Sequence, residues 1–224
     1  MTPDLVRIRA RNTHRLIPSR FPPVGLFDDV SSAEDLATVL ELEGWTNDRI
    51  SLEYGLIHTI PKSEWAVGVQ GASVIMAAFC YPNPEGGRFN DPDRGAWYAG
   101  RKLETAIEET IYHRTRELDE IGVYDTYVQM RQYLADFDCK LHDVRRTPAF
   151  DACHDPESYA ASQALARELL ENGSNGITYR SVRHRGGKCL VCFRPKLVTN
   201  VRQGAHFEYR WSGNRRPKVT EIKS

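Results

Sequence analysis

The chain has 224 residues, 41% of them apolar or aromatic, which suffices for one domain with a real core. Lys+Arg and Asp+Glu both number 30, so the formal charge is zero and the basic excess with which nucleic-acid binders neutralise phosphates is missing. No stretch of about 18 apolar residues is present to span a membrane, and Met1–Arg11 carries charges without the apolar run of a secretory signal.

The first thirty residues are punctuated by Pro18, Pro22 and Pro23, which impose extended or turn conformations. Ser31 or Ser32 then caps a helix running to Glu43, with Leu36, Val39, Leu40 and Leu42 as its apolar side. A second short helical stretch begins at Thr46 and ends near Pro61. Val74 to Tyr81 is a continuous apolar run, expected as a buried strand. After a loop from Pro82 to Arg94, Ala96-Trp97-Tyr98 reads as a short strand. Leu103, Ile107, Ile111 and Leu118 recur at helical spacing, so 103–118 is a helix. The alternation across Val123 to Phe137 is that of a strand or hairpin arm. Ser158 to Asn172 is a helix closed by Gly173. Three strands follow, Ile177 to Val182, Lys188 to Phe193 and His206 to Trp211, and a basic, polar tail over 214–224 is expected to fray. Helices among late-clustered strands predict an α+β fold with a mixed, mostly antiparallel sheet.

Five dispersed cysteines, an odd number, argue against a disulfide framework and suit a reducing cytoplasm. Cys189 and Cys192 form a CxxC, but the residues around it read as a strand, which would turn the two sulfurs to opposite faces. His58, His142, His154 and His206 lack ligand spacing, so no metal site is inferred.

The residues that carry chemistry begin with Gly86-Gly-Arg-Phe-Asn90. A glycine pair lets the backbone approach a ligand closely, and Arg88 is a fork able to grip a phosphate or amide. Tyr98 offers a flat face for stacking on a planar ring. Glu109 lies eleven residues on, in a helix, with His113 one turn further on the same face where the two can pair. Periodicity alone leaves Glu109 indistinguishable from a solvated acid such as Glu104 or Glu108. Ser181 ends a strand within Tyr179-Arg-Ser-Val182, and Arg15 supplies another cation near the N-terminus. Arg180, Arg183, His184, Arg185 and Lys188 read either as a solvated hairpin tip or as a patch attracting phosphates or an acidic partner.

In this order, GGRFN, WYA, EETIYH and YRSV resemble the RES-domain family, toxins of bacterial toxin–antitoxin pairs whose antitoxins resemble Xre-type repressors. Arg88, Glu109 and Ser181 match the Arg, Glu and Ser that name the family; Tyr98 matches its tyrosine and Arg15 its N-terminal arginine. The likeness covers roughly 11–193 of a single domain spanning 1–224, with insertions at about 31–60 and 140–172. Phe89 stands where many members have Trp.

The resemblance implies a fold similar to the ADP-ribosyltransferase (diphtheria-toxin-like) fold and NAD+ as substrate. Glu109 would stabilise the ribosyl cation left when nicotinamide departs. Arg88 and Arg15 would hold the diphosphate or nicotinamide amide, Tyr98 the nicotinamide ring, and Ser181 a ribose or amide group. The acceptor of ADP-ribose would be a protein, slightly favoured by the extra length, or phosphate or water, which would make the enzyme an NAD+ phosphorylase or glycohydrolase. An Xre-like antitoxin would block the pocket in a hetero-oligomer, so the toxin itself need not bind nucleic acid. The competing reading is a non-catalytic module using the same pocket to sense a nucleotide or hold a partner.

Overall fold

The computed structural model describes residues 1–19, 32–44 and 56–222. Its longest element is the central strand β3, Asp125–Asp143. Strand β1, Leu5–Pro18, runs antiparallel along one edge of β3, from Leu5 opposite His142 to Pro18 opposite Met130. On the other edge lies β6, Thr199–Ser212, which leaves β3 at Asp136 and is itself paired with β7, Lys218–Ile222. Beyond that point β4, Gly176–Arg180, takes the same edge, in parallel, at His142 and Asp143. From β4 the sheet continues through β5, Lys188–Cys192, to β2, Trp97–Gly100, and β2 meets β1 again at Gly100 and His14. Five strands, β1-β2-β5-β4-β3, therefore close on themselves, and β6 and β7 extend from β3. The fold is α+β with a mixed sheet in which, among the described residues, only the β3–β4 pair is parallel.

Helix α1, Ala33–Gly44, starts where Ser32 Oγ accepts the Asp35 N–H at 3.0 Å, the expected cap. The expected helical stretch from Thr46 falls largely on 46–55, outside the described residues; 57–59 and 62–64 are single 3-10 turns. The apolar run at 74–81 is not a strand but helix α2, Ala72–Cys80. A helix buried on nearly every side loses its amphipathic stripe, so its sequence matches that of a two-sided buried strand. Gly71 leads into it at φ +77°, where a Cβ would stand 2.8 Å from Val201 Cγ1. Helix α3, Leu103–Ile121, lays Ala106, Ile111 and Leu118 on Met130, Phe207, Tyr209 and Trp211. Helix α4, Ala160–Glu171, packs Ala166 and Leu169 against Ile177, Val191 and Phe193. Strand β5 alternates between the two cores: Leu190 and Cys192 join one, Cys189 and Val191 the other, so the CxxC sulfurs do face apart. All five cysteines are buried and free.

Two N- and C-terminal features differ from expectation. Strand β1 is long and continuous apart from a bulge between Ala10 and Thr13, where Asn12 adopts φ +53°. The tail does not fray at 218–222: those residues pair with 206–210 of β6.

Candidate active site

Residues 85–90 form a tight loop whose shape depends on its glycines. Gly86 sits at φ +73°, and a Cβ there would lie 2.4 Å from Asn90 O. A Cβ on Gly87 would lie 2.6 Å from Asn90 Oδ1 and 2.8 Å from the Tyr98 hydroxyl. That hydroxyl accepts the Phe89 N–H at 2.8 Å and donates to Asn90 Oδ1 at 2.8 Å. The tyrosine thus ties the loop to β2, while its ring remains half-buried. Burial pushes its pKa well above the usual phenol value. Arg88 is no surface arginine: it is 7% exposed, its Nη1 donates to Cys153 O at 3.1 Å and Asp155 O at 2.7 Å, and its Cζ lies 4.6 Å from the centre of the Tyr159 ring.

Glu109 projects from α3, and the hydroxyl of Ser181, just past β4, donates to its Oε1 at 2.5 Å. The same Ser181 Oγ accepts the backbone N–H groups of Arg183 at 3.2 Å and His184 at 2.9 Å, which leaves its proton for the carboxylate. One turn before Glu109, Thr105 Oγ1 lies 2.9 Å from His184 Nδ1, so the β4–β5 loop is attached to α3 at two points. Glu108, the local rival, accepts both terminal nitrogens of Arg216 at 3.2 and 2.5 Å, out toward the β6–β7 hairpin.

The expected Glu109–His113 pair does not form: among the described residues no hydrogen bond or ion pair joins them. The His113 ring stands edge-on to Tyr112 at 5.4 Å. Crowding by protein, then the charges of Arg114, Arg183, Arg116 and Arg88, lower its pKa to about 4, although water reaches the ring. An imidazole held neutral in this way has no charge with which to attract a carboxylate.

The two halves of the site meet at Tyr179. Its buried ring packs on Phe89 at 4.8 Å, and its hydroxyl is pushed far up, by burial first and then by Cys189, Glu109 and Tyr98, with Arg88 opposing. Arg88, Tyr98 and Glu109 thus all act electrostatically on one buried tyrosine, which Ser181 follows two positions later in the chain. Arg15 reaches β2 from the other side. Its Cζ lies 5.0 Å from the Trp97 ring, whose side chain joins the core opposite to that of Tyr98, and its Nη1 meets Tyr98 O at 3.4 Å. Burial lowers the Arg15 pKa to about 10, with Tyr98 opposing, so it stays a cation at neutral pH.

Part of the basic cluster is tied down rather than free at a hairpin tip. Arg180 donates to Asp151 at 2.5 Å; Arg183 donates to Pro156 O at 2.5 Å and covers the Tyr112 ring at 3.3 Å. Sequence reasoning missed Tyr179, Asn90 and Tyr159. Only Tyr179 carried a signal, as the inward residue of an alternating strand beside Ser181.

An arginine held by main-chain carbonyls beside an oriented carboxylate can grip an anionic or amide group while placing negative charge at a reacting carbon. Comparison with known proteins gives the following likenesses. The family model described as RES domain matches residues 58–212, which include Arg88, Tyr98, Glu109 and Ser181 and leave Arg15 outside. The protein y4oC of Sinorhizobium fredii is 28% identical over 204 residues, 90% of this chain and 84% of that one. The crystal structure of the M. tuberculosis MbcT–MbcA toxin–antitoxin complex aligns with a TM-score of 0.48 at 12% identity, over 92% of this chain and 87% of the matched one.

Proposed function

The chain belongs to the RES-domain family, and from that membership and the cluster around Tyr179 we propose that it is a toxin of a toxin–antitoxin pair that breaks the nicotinamide–ribose bond of NAD+. The observation that most supports this reading is the 2.5 Å hydrogen bond from Ser181 Oγ to Glu109 Oε1. It orders a carboxylate beside a buried arginine, on the side of α3 away from Arg216.

The bond electrons leave with nicotinamide, which changes from a pyridinium to a neutral molecule, and the ribose carbon becomes cation-like. Glu109 lowers the energy of that cation by placing negative charge against it and by binding ribose hydroxyls. Arg88 grips the diphosphate or the nicotinamide amide, and Arg15, behind β2, adds positive charge to the same region. The half-buried face of Tyr98 is the stacking surface for the nicotinamide ring. The acceptor's lone pair then forms the new bond to the ribose carbon as the acceptor sheds its proton. We favour a protein acceptor, because the β4–β5 loop and the 151–156 segment make a fixed wall beside Glu109. The partner is an Xre-like antitoxin seated over the cleft.

Purified protein incubated with NAD+ should release nicotinamide, and labelled ADP-ribose should then appear on a protein in cell extract. Glu109→Gln should slow release about 100- to 1000-fold, the usual loss when an electrostatic stabiliser of the transition state is removed. No release from folded wild-type protein would sink the proposal. Label found only in free ADP-ribose or its phosphate ester would move the acceptor to water or phosphate.

A further inference from the structure

The side-chain contacts of Arg88 come from one stretch of chain, 153–163, inside the region of about 140–172 that the sequence led us to expect as an insertion. Gln163, on α4, points its Nε2 at three carbonyls of the Arg88 loop: Gly87 O at 3.0 Å, Asn90 O at 3.3 Å and Glu85 O at 3.3 Å. Two amide protons are shared among three acceptors, a geometry available because Gly86, in its left-handed conformation, turns those carbonyls to one side. The fit is close, since a Cβ on Gly86 would lie 2.9 Å from that same Nε2. One helical turn earlier, Tyr159 accepts the Gln163 N–H on its carbonyl at 2.8 Å and stacks its ring on the Arg88 guanidinium. Cys153 O and Asp155 O then hold Nη1. Backbone, plane and one edge of the arginine are all set from this segment. Its Nε and Nη2 hydrogen-bond no other described residue.

We propose that Gln163 and Tyr159 are positioning residues, which hold the free edge of Arg88 in the orientation that receives the substrate's diphosphate or amide. A guanidinium already fixed in plane and edge gives up little freedom when a ligand arrives, so affinity falls when the fixing groups are removed. The inference rests on the reading that Arg88 grips NAD+. Because a grip on a group remote from the reacting carbon acts alike on ground and transition states, the loss appears in KM rather than kcat.

Steady-state nicotinamide release measured for Gln163→Met, Tyr159→Leu, Tyr159→Phe, Arg88→Ala and the Arg88→Ala/Gln163→Met double variant tests it. Gln163→Met and Tyr159→Leu should each raise KM for NAD+ about five- to tenfold, the scale of one neutral hydrogen bond or one cation–π contact, with kcat within about twofold. Tyr159→Phe keeps the ring face and should match wild type. Gln163→Met should add nothing once Arg88 is gone. An unchanged KM in both single variants, or an equal loss from Gln163→Met without Arg88, overturns the proposal. Amide hydrogen exchange over 85–90 reads the positioning without turnover and should quicken in Gln163→Met. If wild type releases no nicotinamide while that exchange still quickens, the NAD+ reading fails and the positioning stands. If exchange is unchanged, the positioning fails. Should Gln163→Met not fold, the contrast between Tyr159→Leu and Tyr159→Phe decides.

Discussion

Ser181 has one proton to donate, and two backbone N–H groups on its oxygen direct that proton to Glu109. The hydroxyl therefore acts through the carboxylate. It keeps Oε1 from rotating through a hydrogen bond of the kind made to charged groups, a class worth about 1.5–3 kcal/mol. Ser181→Ala should cost about 10- to 100-fold in kcat with a small change in KM, and the same substitution should add little in a Glu109→Gln background. Losses that multiply in the double variant would show Ser181 working on the substrate independently. At this scale the sequence was least legible. Glu108 and Glu109 share composition, helix and neighbours. What separates them is Arg216, more than a hundred positions away, which takes Glu108 outward. His113 was misjudged for a related reason: spacing of four places it near Glu109, but crowding by protein first, and then arginines of which two come from distant loops, lower its pKa.

At the scale of elements, periodicity read α3 and α4 because each keeps one apolar face, and the short apolar runs of β4 and β5 read as strands although both their faces are covered. The reading failed for α2, a helix covered on nearly every side, and where arginines at alternate positions of β1 hid a strand. The bulge at Asn12 was equally invisible, and it has a consequence for Arg15. Before the bulge Ile8 and Ala10 face the core that contains Trp97; one extra residue reverses the parity, so that Arg15 and Ile17 face it instead. The bulge is held by Asp136, which is 7% exposed and accepts the Asn12 N–H and Asn200 Nδ2, each at 2.8 Å. Burial alone would raise the Asp136 pKa, but these hydrogen bonds together with Arg202 and Arg11 lower it below 3.8. A carboxylate depressed in the folded state contributes stability above its unfolded pKa and loses it as pH falls through the folded one. Asp136→Asn should lower stability at neutral pH by about 1–3 kcal/mol, roughly 3–10 °C in Tm, with the gap to wild type narrowing below about pH 4. A gap that is constant down to pH 2 would show that the charge of Asp136 contributes nothing. Tyr98–Trp97 contact with Arg15 should loosen in the same variant.

At the scale of the molecule, the candidate site belongs to the closed circuit of five strands and to α3, whereas β7 lies outside the circuit and, among the described residues, pairs in the sheet with β6 alone. The family match ends at 212, and the hairpin beyond it contributes packing and hydrogen bonds outside the circuit. Arg215 O accepts from Thr115 Oγ1 at 3.1 Å and from the buried Trp211 Nε1 at 3.3 Å, and Val219 packs on the core beneath α3. The Arg216–Glu108 pair is exposed on the arginine side and contributes little by comparison. A chain ending at Ser212 should therefore lose roughly 2–4 kcal/mol, or about 5–10 °C in Tm, from half-buried apolar surface and two partly buried hydrogen bonds. It also bares the edge of β6 to other chains, so its solubility should fall with concentration. Per folded molecule, the rate of nicotinamide release should stay within about twofold of wild type, since neither Glu109 nor the Arg88 loop touches the hairpin. Glu108, freed from Arg216, would then be a second uncommitted carboxylate directly beside Glu109. If activity dropped in the truncated chain and was restored by Glu108→Gln, the outward pull of Arg216 would be part of how the site keeps a single carboxylate, rather than a surface detail.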